Sequence, residues 1–559
     1  MSVNFETDEC RPLLENGSQD GAPTNHSAYS SVAVAPANGS SQSSEDLEAT
    51  KEKDGNKRMA KLLFPVGLGV FLAAMDQTIV TSSYASIGSE LKRLQSTSWI
   101  ATGYMLTVTS FQPLYGKLSD IFGRKQCLLF AFTIFGIGCL FCGMARTMEE
   151  LIAARVLSGI GGAGIPTVIT ILISDIVPLR SRGAWQGTIN IIFATGSAIG
   201  APLGGILADG IGWRWAFYVQ VPLTIIAFVI VSFAMHLPTK VHQSDLLSKL
   251  RRIDFFGAFT LVCGVFGLLL GLDHGGNVSW HSAMTITSLS LSVIFFILFG
   301  LTELQLAAEP FAPKRVLAHP SLLAAFLCNL FCFGANMCAI FHTALFLQAG
   351  GGASAAQAGL GIVPSVFGSV VGSLSSGLIM QQTGKYYWLT VGVYVAQFAG
   401  TIVLTTGTWL KDAAVKVVVA GLAIQALGNG SGVTTTLIAI ISNAEQEDQA
   451  IATAISYLFR SMGSVLGISV GSTLVQNTLR KYLRERLIGQ VGINVEDIVE
   501  HARSSLDSLA SLPPTVQKIV RESYAEATRA AFLFSVLLAG LALLSSFFIR
   551  EKSLLRKSE

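Results

Sequence analysis

Apolar residues fall along this chain in long unbroken runs, not in the i, i+3, i+4 stripes of helices that keep one face in water. About twenty such residues cross a hydrocarbon core of roughly 30 Å as a helix. Fourteen runs reach that length: 62–84, 98–118, 127–145, 151–177, 184–208 and 215–237, then 253–272 and 283–304, then 321–347, 358–380, 388–408, 415–441, 450–475 and 530–549. The grouping predicts an all-α polytopic membrane protein with a six-helix half at residues 61–238, two linking helices within 239–318, and a second six-helix half at 319–550. A long loop at about 477–528 would separate the last two spans. Residues 1–60, rich in Ser, Asn, Gly and acidic side chains, are expected to be a disordered tail because they cannot bury enough apolar area to offset ordering. Residues 551–559 form the other tail. No short apolar segment of signal-peptide type opens the chain, so the first span is expected to direct insertion.

Composition agrees with this pattern. Of 559 residues, 51% are hydrophobic and 13% charged, against about a quarter charged in soluble chains. A formal charge of +3 is too small at this size to indicate nucleic-acid binding. Apart from Cys10, the eight cysteines lie inside apolar runs and form no cluster with His at metal-ligand spacing, so they read as packing residues and neither metal nor cofactor is expected. No Walker-type phosphate loop occurs and no nucleophile stands beside a base in a recognisable motif, which leaves an ion gradient as the energy source and excludes catalysis.

Short loops carrying Arg124 and Lys125, Arg180 and Arg182, Arg251 and Arg252, Lys314 and Arg315, and Lys385 fall on one side, which the positive-inside rule assigns to the cytosol together with both tails. The 477–528 loop would then be lumenal despite Arg480, Lys481, Arg484 and Arg486. "GKLSDIFGRK" and "GLIMQQTGKY" place glycines seven apart, Gly116 and Gly123, then Gly377 and Gly384, at the cytosolic ends of corresponding spans. Such paired halves suit a transporter in which one half rocks against the other about a midplane site.

Two charges in the first half lie inside apolar runs and away from the run ends that face water. "FLAAMDQTIV" holds Asp76 and "RVLSGIGGAGIP" holds Arg155. A charge at that depth is expensive and marks function by default. At ~1.5 Å per residue the two stand at comparable depth, so they are expected to share one cavity, directly or through water. Desolvation and a neighbouring cation act in opposite directions on a buried carboxylate's proton. Asp76 is accordingly expected to be the proton-coupling carboxylate, exchanging a proton between the two sides of the membrane. Gln112, Asn336, His342 and Arg460 are further polar residues within spans that would line a cavity or, failing that, bond between helices.

At "GKLSDIFGRK" the chain is similar to the signature between spans 2 and 3 of the major facilitator superfamily, with Gly116, Asp120, Gly123, Arg124 and Lys125 matching. The glycines would allow a tight turn and close helix approach, and Asp120 would pair with a cytosolic Arg to latch the inner gate. "GSAIGAPLGG" resembles the span-5 antiporter signature through Gly196, Gly200, Pro202, Gly204 and Gly205. Small residues four apart let backbones approach, and Pro202 removes a helical hydrogen bond. "MDQTIV" and "WRWAF" resemble the fourteen-span drug:proton antiporter branch. "IGSELK", "FQPLYGKLSDIFGRK", "SDIVPLRSRGAWQG" and "GAPLGG" followed by "VQVP" look most like fungal vacuolar basic amino-acid transporters. The resemblance is dense from Phe71 to Pro222 and thin beyond, and "TSSYASI" replaces the sequence that follows in many drug exporters.

What the resemblance implies is the major facilitator fold and a proton-coupled antiporter, expected as a monomer, taking lysine, arginine and histidine into the vacuole. Two other readings stay open: an exporter of drugs or organic cations at the plasma membrane, and a non-transporting nutrient sensor. "ECRPLL" has the acidic and dileucine form of a sorting signal, with Glu9, Leu13 and Leu14 read by a cytosolic adaptor.

Overall fold

The structure, a computed structural model, describes residues 40–176, 179–235, 255–277, 279–303, 314–410, 414–445, 448–487 and 513–552. The chain divides into two compact units, Met1–Lys51 and Glu52–Glu559, and the apolar helices belong to the second. In lipid every backbone polar group must be satisfied within the segment, which leaves a chain of long apolar runs the helix as its local structure.

The first half comprises α1 (Ser40–Glu90), α2 (Ser98–Phe122), α3 (Arg124–Met144), α4 (Met148–Ile176), α5 (Leu179–Gly210), the short α6 (Arg214–Tyr218) and α7 (Gln220–Ala234). The linking pair is α8 (Phe255–Asn277) and α9 (Ala283–Leu301). After the single turn α10 (Lys314–Leu317) come α11 (Pro320–Leu345), α12 (Ala355–Thr383), α13 (Tyr387–Gly407), α14 (Ala414–Asn443), α15 (Gln449–Leu487) and α16 (Pro514–Ser546). Helix therefore lies over each of the fourteen expected runs. Twelve helices among the described residues are long and apolar enough to cross a membrane, so the count of fourteen is not reached on that measure. Outside those twelve stand α2, whose apolar run is interrupted by Thr102, Thr107, Thr109, Ser110 and Gln112, and α8, whose described side chains form the shorter apolar helix Phe259–Leu272 within Phe255–Asn277.

Two expected boundaries move. Helix α1 begins at Ser40, twenty residues inside the tail expected at 1–60; Glu9, Leu13 and Leu14 lie outside the described residues. The expected 477–528 loop is helical at both ends, with α15 running to Leu487 and α16 starting at Pro514. Leu479, Leu483 and Leu487 on one helix and Val516, Val520 and Tyr524 on the other are buried in one apolar cluster. Arg486 pairs there with Glu526, which gives one of the misplaced basic residues a counter-charge.

Spans joined by a short turn cross in opposite senses, so the α2–α3 turn marks a basic end of the bundle and the α1–α2 turn the opposite end. The internal repeat is visible at the basic end: α2 stops at Gly123 with φ +91° and α12 stops at Gly384 with φ +65°, left-handed conformations that glycine adopts without a steric penalty. The halves join mainly toward the opposite end. Tyr84 on α1 stacks on Phe341 of α11 with ring centroids 4.3 Å apart, and its hydroxyl donates to the Phe341 carbonyl at 3.2 Å. Gln348 donates to the Ser82 carbonyl at 3.1 Å. The Asp209 carboxylate at the end of α5 accepts from the Ala355 and Ala356 amides that start α12, at 3.3 and 2.9 Å. Helices α2 and α15 form a second seam, bonded by Thr102 to Ser469 and by Ser461 to Gln112. Helix α8 packs on both sides of that seam, with Trp99 edge-on to Phe266 and Thr473 donating to the Leu272 carbonyl.

Candidate functional site

Asp76 and Arg155 meet in the middle of the first half. One guanidinium nitrogen of Arg155 donates to both carboxylate oxygens of Asp76, at 2.9 and 2.8 Å. Both side chains are sealed, at 0% and 1% exposure. Arg155 also donates from Nε to the Ile100 carbonyl at 3.2 Å and lies 4.2 Å over the Tyr104 ring. In place of the shared cavity expected of them, the two residues form a direct ion pair joining α1 to α4.

A third side chain completes the site. Gln220 is fully buried and donates from Nε2 to Asp76 Oδ1 at 3.2 Å and to the Ala216 carbonyl at 3.0 Å. It stands where the sixth apolar run is interrupted, between α6 and α7. Sequence reasoning quoted it inside "VQVP" without assigning it a role; the available signal was a lone amide in an apolar span two residues before Pro222. Beside the pair, a cavity of about 10 Å³ is lined by Gln77, Thr81, Tyr104, Arg155 and, from the second half, Phe341, room for a single water. Arg155 borders it and Asp76 does not.

The pair's energetics give a first expectation. Removing one partner of a buried ion pair strands the other charge at a cost of about 3–5 kcal/mol, whereas replacing both can be neutral. Arg155→Gln should therefore lower the unfolding temperature of the purified protein markedly, and Asp76→Asn added to it should restore part of the loss. A double variant no more stable than Arg155→Gln alone would mean that the two charges are not coupled.

The antiporter signature brackets this site. A Cβ on Gly196, Gly200 or Gly204 would lie 2.5, 2.6 or 2.0 Å from the Phe71, Met75 or Ile79 carbonyl oxygen, so α5 rests backbone to backbone on α1, one contact per turn around Asp76. Gly205 points the other way, 2.4 Å by the same measure from the Ala355 carbonyl across the halves. Gly359 of α12 meets Ala201 and Pro202 in the same fashion.

At the basic end, Arg124 donates to Asp175 Oδ2 at 2.8 Å and to Ser119 at 2.9 Å, and Lys125 donates to the Ser232 carbonyl. Arg124 thus ties α3 to α4 through Asp175; the side chain of Asp120, the partner expected for it, lies outside the described residues. Gly123 makes the expected turn, but close helix approach at Gly116 is not found among the described residues, where a Cβ would meet nothing within 4 Å.

The remaining polar residues separate. Gln397 and Gln425 donate to the Cys332 and Ala335 carbonyls, interhelical bonds of the ordinary kind. His342 is buried, with Nδ1 2.8 Å from its own helix's Cys338 carbonyl and Nε2 3.4 Å from Ser472, a packing role. Gln112 accepts from Ser461 at the α2–α15 seam. Asn336 is buried with its Oδ1 unpartnered among the described residues. Arg460 donates to Asn329 Oδ1 at 3.0 Å and to the Val433 carbonyl at 3.4 Å.

Comparison with known proteins bears on all of this. The chain is 40% identical over 512 residues, covering 90% of it and 87% of the relative, to the vacuolar membrane amino acid uptake transporter fnx2 of Schizosaccharomyces pombe. It is 39% identical to the multidrug resistance protein fnx1 of the same yeast, over 84% of this chain and 89% of that one. It is 34% identical to the vacuolar basic amino acid transporter 2 of Saccharomyces cerevisiae, over 80% and 96%. Among solved structures, a bacterial homolog of the human lysosomal transporter Spinster superposes with a TM-score of 0.56 at 16% identity, over 88% of this chain and 97% of that one, a likeness of fold. The model of the Major Facilitator Superfamily matches residues 66–468. With these matches added to the paired halves and the buried charges, the chain belongs to the Major Facilitator Superfamily: it is a multi-pass membrane transporter and not an enzyme.

Proposed function

We propose that this protein is a proton-coupled antiporter that moves the basic amino acids lysine, arginine and histidine from the cytosol into the vacuole. The observation that carries the reading is the Asp76 carboxylate, buried in mid-span and held by Arg155 and Gln220. Ionised, it ties α1 to α4. Protonated from the lumenal side, it ceases to be a counter-charge, and Arg155, which borders the water-sized cavity, is released from it. Loss of that tie frees the first half to rearrange against the second, and return of the proton to the cytosol resets it, in the manner of a bistable packing switched by a local charge. At the end opposite the basic one the halves are fastened together by Tyr84, Gln348 and Asp209. The names of two relatives, a vacuolar amino acid uptake transporter and a vacuolar basic amino acid transporter, support the substrate class and the membrane.

Export of drugs or organic cations at the plasma membrane is the second reading, favoured by the 39% identity to a multidrug resistance protein. Proteoliposomes acidified inside separate the two. Lysine, arginine and histidine are expected to accumulate and to be released by a protonophore, while a panel of cationic drugs does not. Accumulation of the drugs without the amino acids would replace the first reading by the second, and lysine binding without flux would make the protein a sensor. Location is read separately, by microscopy of the tagged protein with Leu13→Ala and Leu14→Ala, which should leave the vacuolar membrane if the tail carries the address.

A further inference from the structure

We infer that Arg460 receives the carboxylate of the transported solute. The inference rests on the amino-acid reading above for the kind of solute and adds the residue that recognises it.

Arg460 sits on α15 eleven residues from the helix start at Gln449, about 16 Å into the span, and is 8% exposed. A guanidinium carries five N–H donors and never loses its charge. Those of Arg460 that are engaged meet neutral oxygens, the Asn329 amide and the Val433 carbonyl. Two aromatic rings, of Phe333 at 5.4 Å and Tyr457 at 5.2 Å, lie within cation–π range. Among the described residues Nη1 donates to nothing and no carboxylate stands at ion-pair distance. Arg155, the buried arginine of the other half, has Asp76.

An intramembrane cation without a counter-ion is retained at a high cost unless an anion visits it. The place suits such a visitor. Ser461, the next residue, bonds across to Gln112 of the first half, so Arg460 borders the seam that opens and closes as the halves rock. On α11, seven residues beyond Asn329 and on the same face, Asn336 keeps a buried acceptor oxygen unpartnered, complementary to an ammonium group. A planar guanidinium with Nη1 free, and Nη2 held only by the 3.4 Å bond to the Val433 carbonyl, can take a carboxylate across those two nitrogens in an arrangement that lysine in its place cannot reproduce. Fixing the carboxylate at Arg460 leaves the basic side chain to extend toward the first half.

The test compares each basic amino acid with the amine that lacks its carboxylate. In wild-type proteoliposomes, unlabelled cadaverine should compete with radiolabelled lysine about 10- to 100-fold more weakly than unlabelled lysine does, and agmatine should stand in the same relation to arginine. In Arg460→Gln, lysine should weaken to the level of cadaverine while cadaverine itself changes little, and Arg460→Lys should recover part of the difference. Wild-type protein that treats lysine and cadaverine alike would overturn the inference whatever the variants do, as would an Arg460→Gln that weakens both equally. Thermal stabilisation of the purified wild type and Arg460→Gln by all amino acids separates this result from the function reading. Stabilisation by a neutral amino acid in wild type alone keeps the carboxylate site and removes the preference for basic substrates. No stabilisation of wild type by any carboxylate-bearing solute, with no exchange, sinks the site.

Discussion

Asp76→Asn is expected to abolish lysine accumulation driven by a pH gradient while leaving lysine-for-lysine exchange measurable. Asparagine keeps the shape of aspartate and an oxygen for Arg155 and Gln220 to bond, but it neither binds nor releases a proton. The tie between α1 and α4 is then fixed in its neutral form, so the carrier can still turn over with solute bound on both sides yet has nothing through which a proton gradient can act. Accumulation in acid-loaded proteoliposomes should fall to the level seen without a gradient. Exchange serves as the control for folding, which matters because the variant leaves the Arg155 charge buried opposite a neutral group. Full gradient-driven accumulation in Asp76→Asn would remove the carboxylate from the coupling path and leave the pair a structural one.

Gly204→Val is expected to lose most of the folded protein. A Cβ at Gly204 falls 2.0 Å from the Ile79 carbonyl oxygen, and a backbone atom cannot swing aside as a side-chain tip can. Overfilling a packed core already costs about 1–3 kcal/mol where side chains adjust; here α5 must leave α1 along the whole Gly196–Gly204 face. Gly210→Val is the matched control, because a Cβ at Gly210 meets nothing within 4 Å. Size-exclusion profiles of the two variants in detergent should differ sharply. Equal monodisperse yield would show that the glycine face is not a rigid contact.

How much of this was legible in the sequence follows from what each residue's neighbours look like. Asp76 and Arg155 announced themselves because each is a charge in an apolar run, and helical rise alone put them at one depth. Gln220 did not, because an amide in a span ordinarily finds a carbonyl on a neighbouring helix, and only its three-dimensional position shows that it reaches a carboxylate. The extensions of α15 and α16 were hidden for another reason. In "LRKYLRERL" the charges end the apolar run, so counting spans stops there, yet Leu479, Leu483 and Leu487 recur every fourth residue and are buried; the amphipathic period was present where only continuous apolarity was sought. Gly116 shows the reverse error, a motif glycine from which close packing was expected and at which the described residues leave open space.

The pair α8 and α9 has a consequence for what can be carried. Laid over the flank where α2 meets α15, with Thr473 bonded to the Leu272 carbonyl, it screens that flank from acyl chains. A greasy molecule dissolved in the leaflet on that side meets α8 before it meets the seam of α2 and α15. Selection by partitioning into lipid, the simplest way for a pump to gather hydrophobic toxins, is thereby impeded along that side, and solutes that travel dissolved and charged meet no such obstacle.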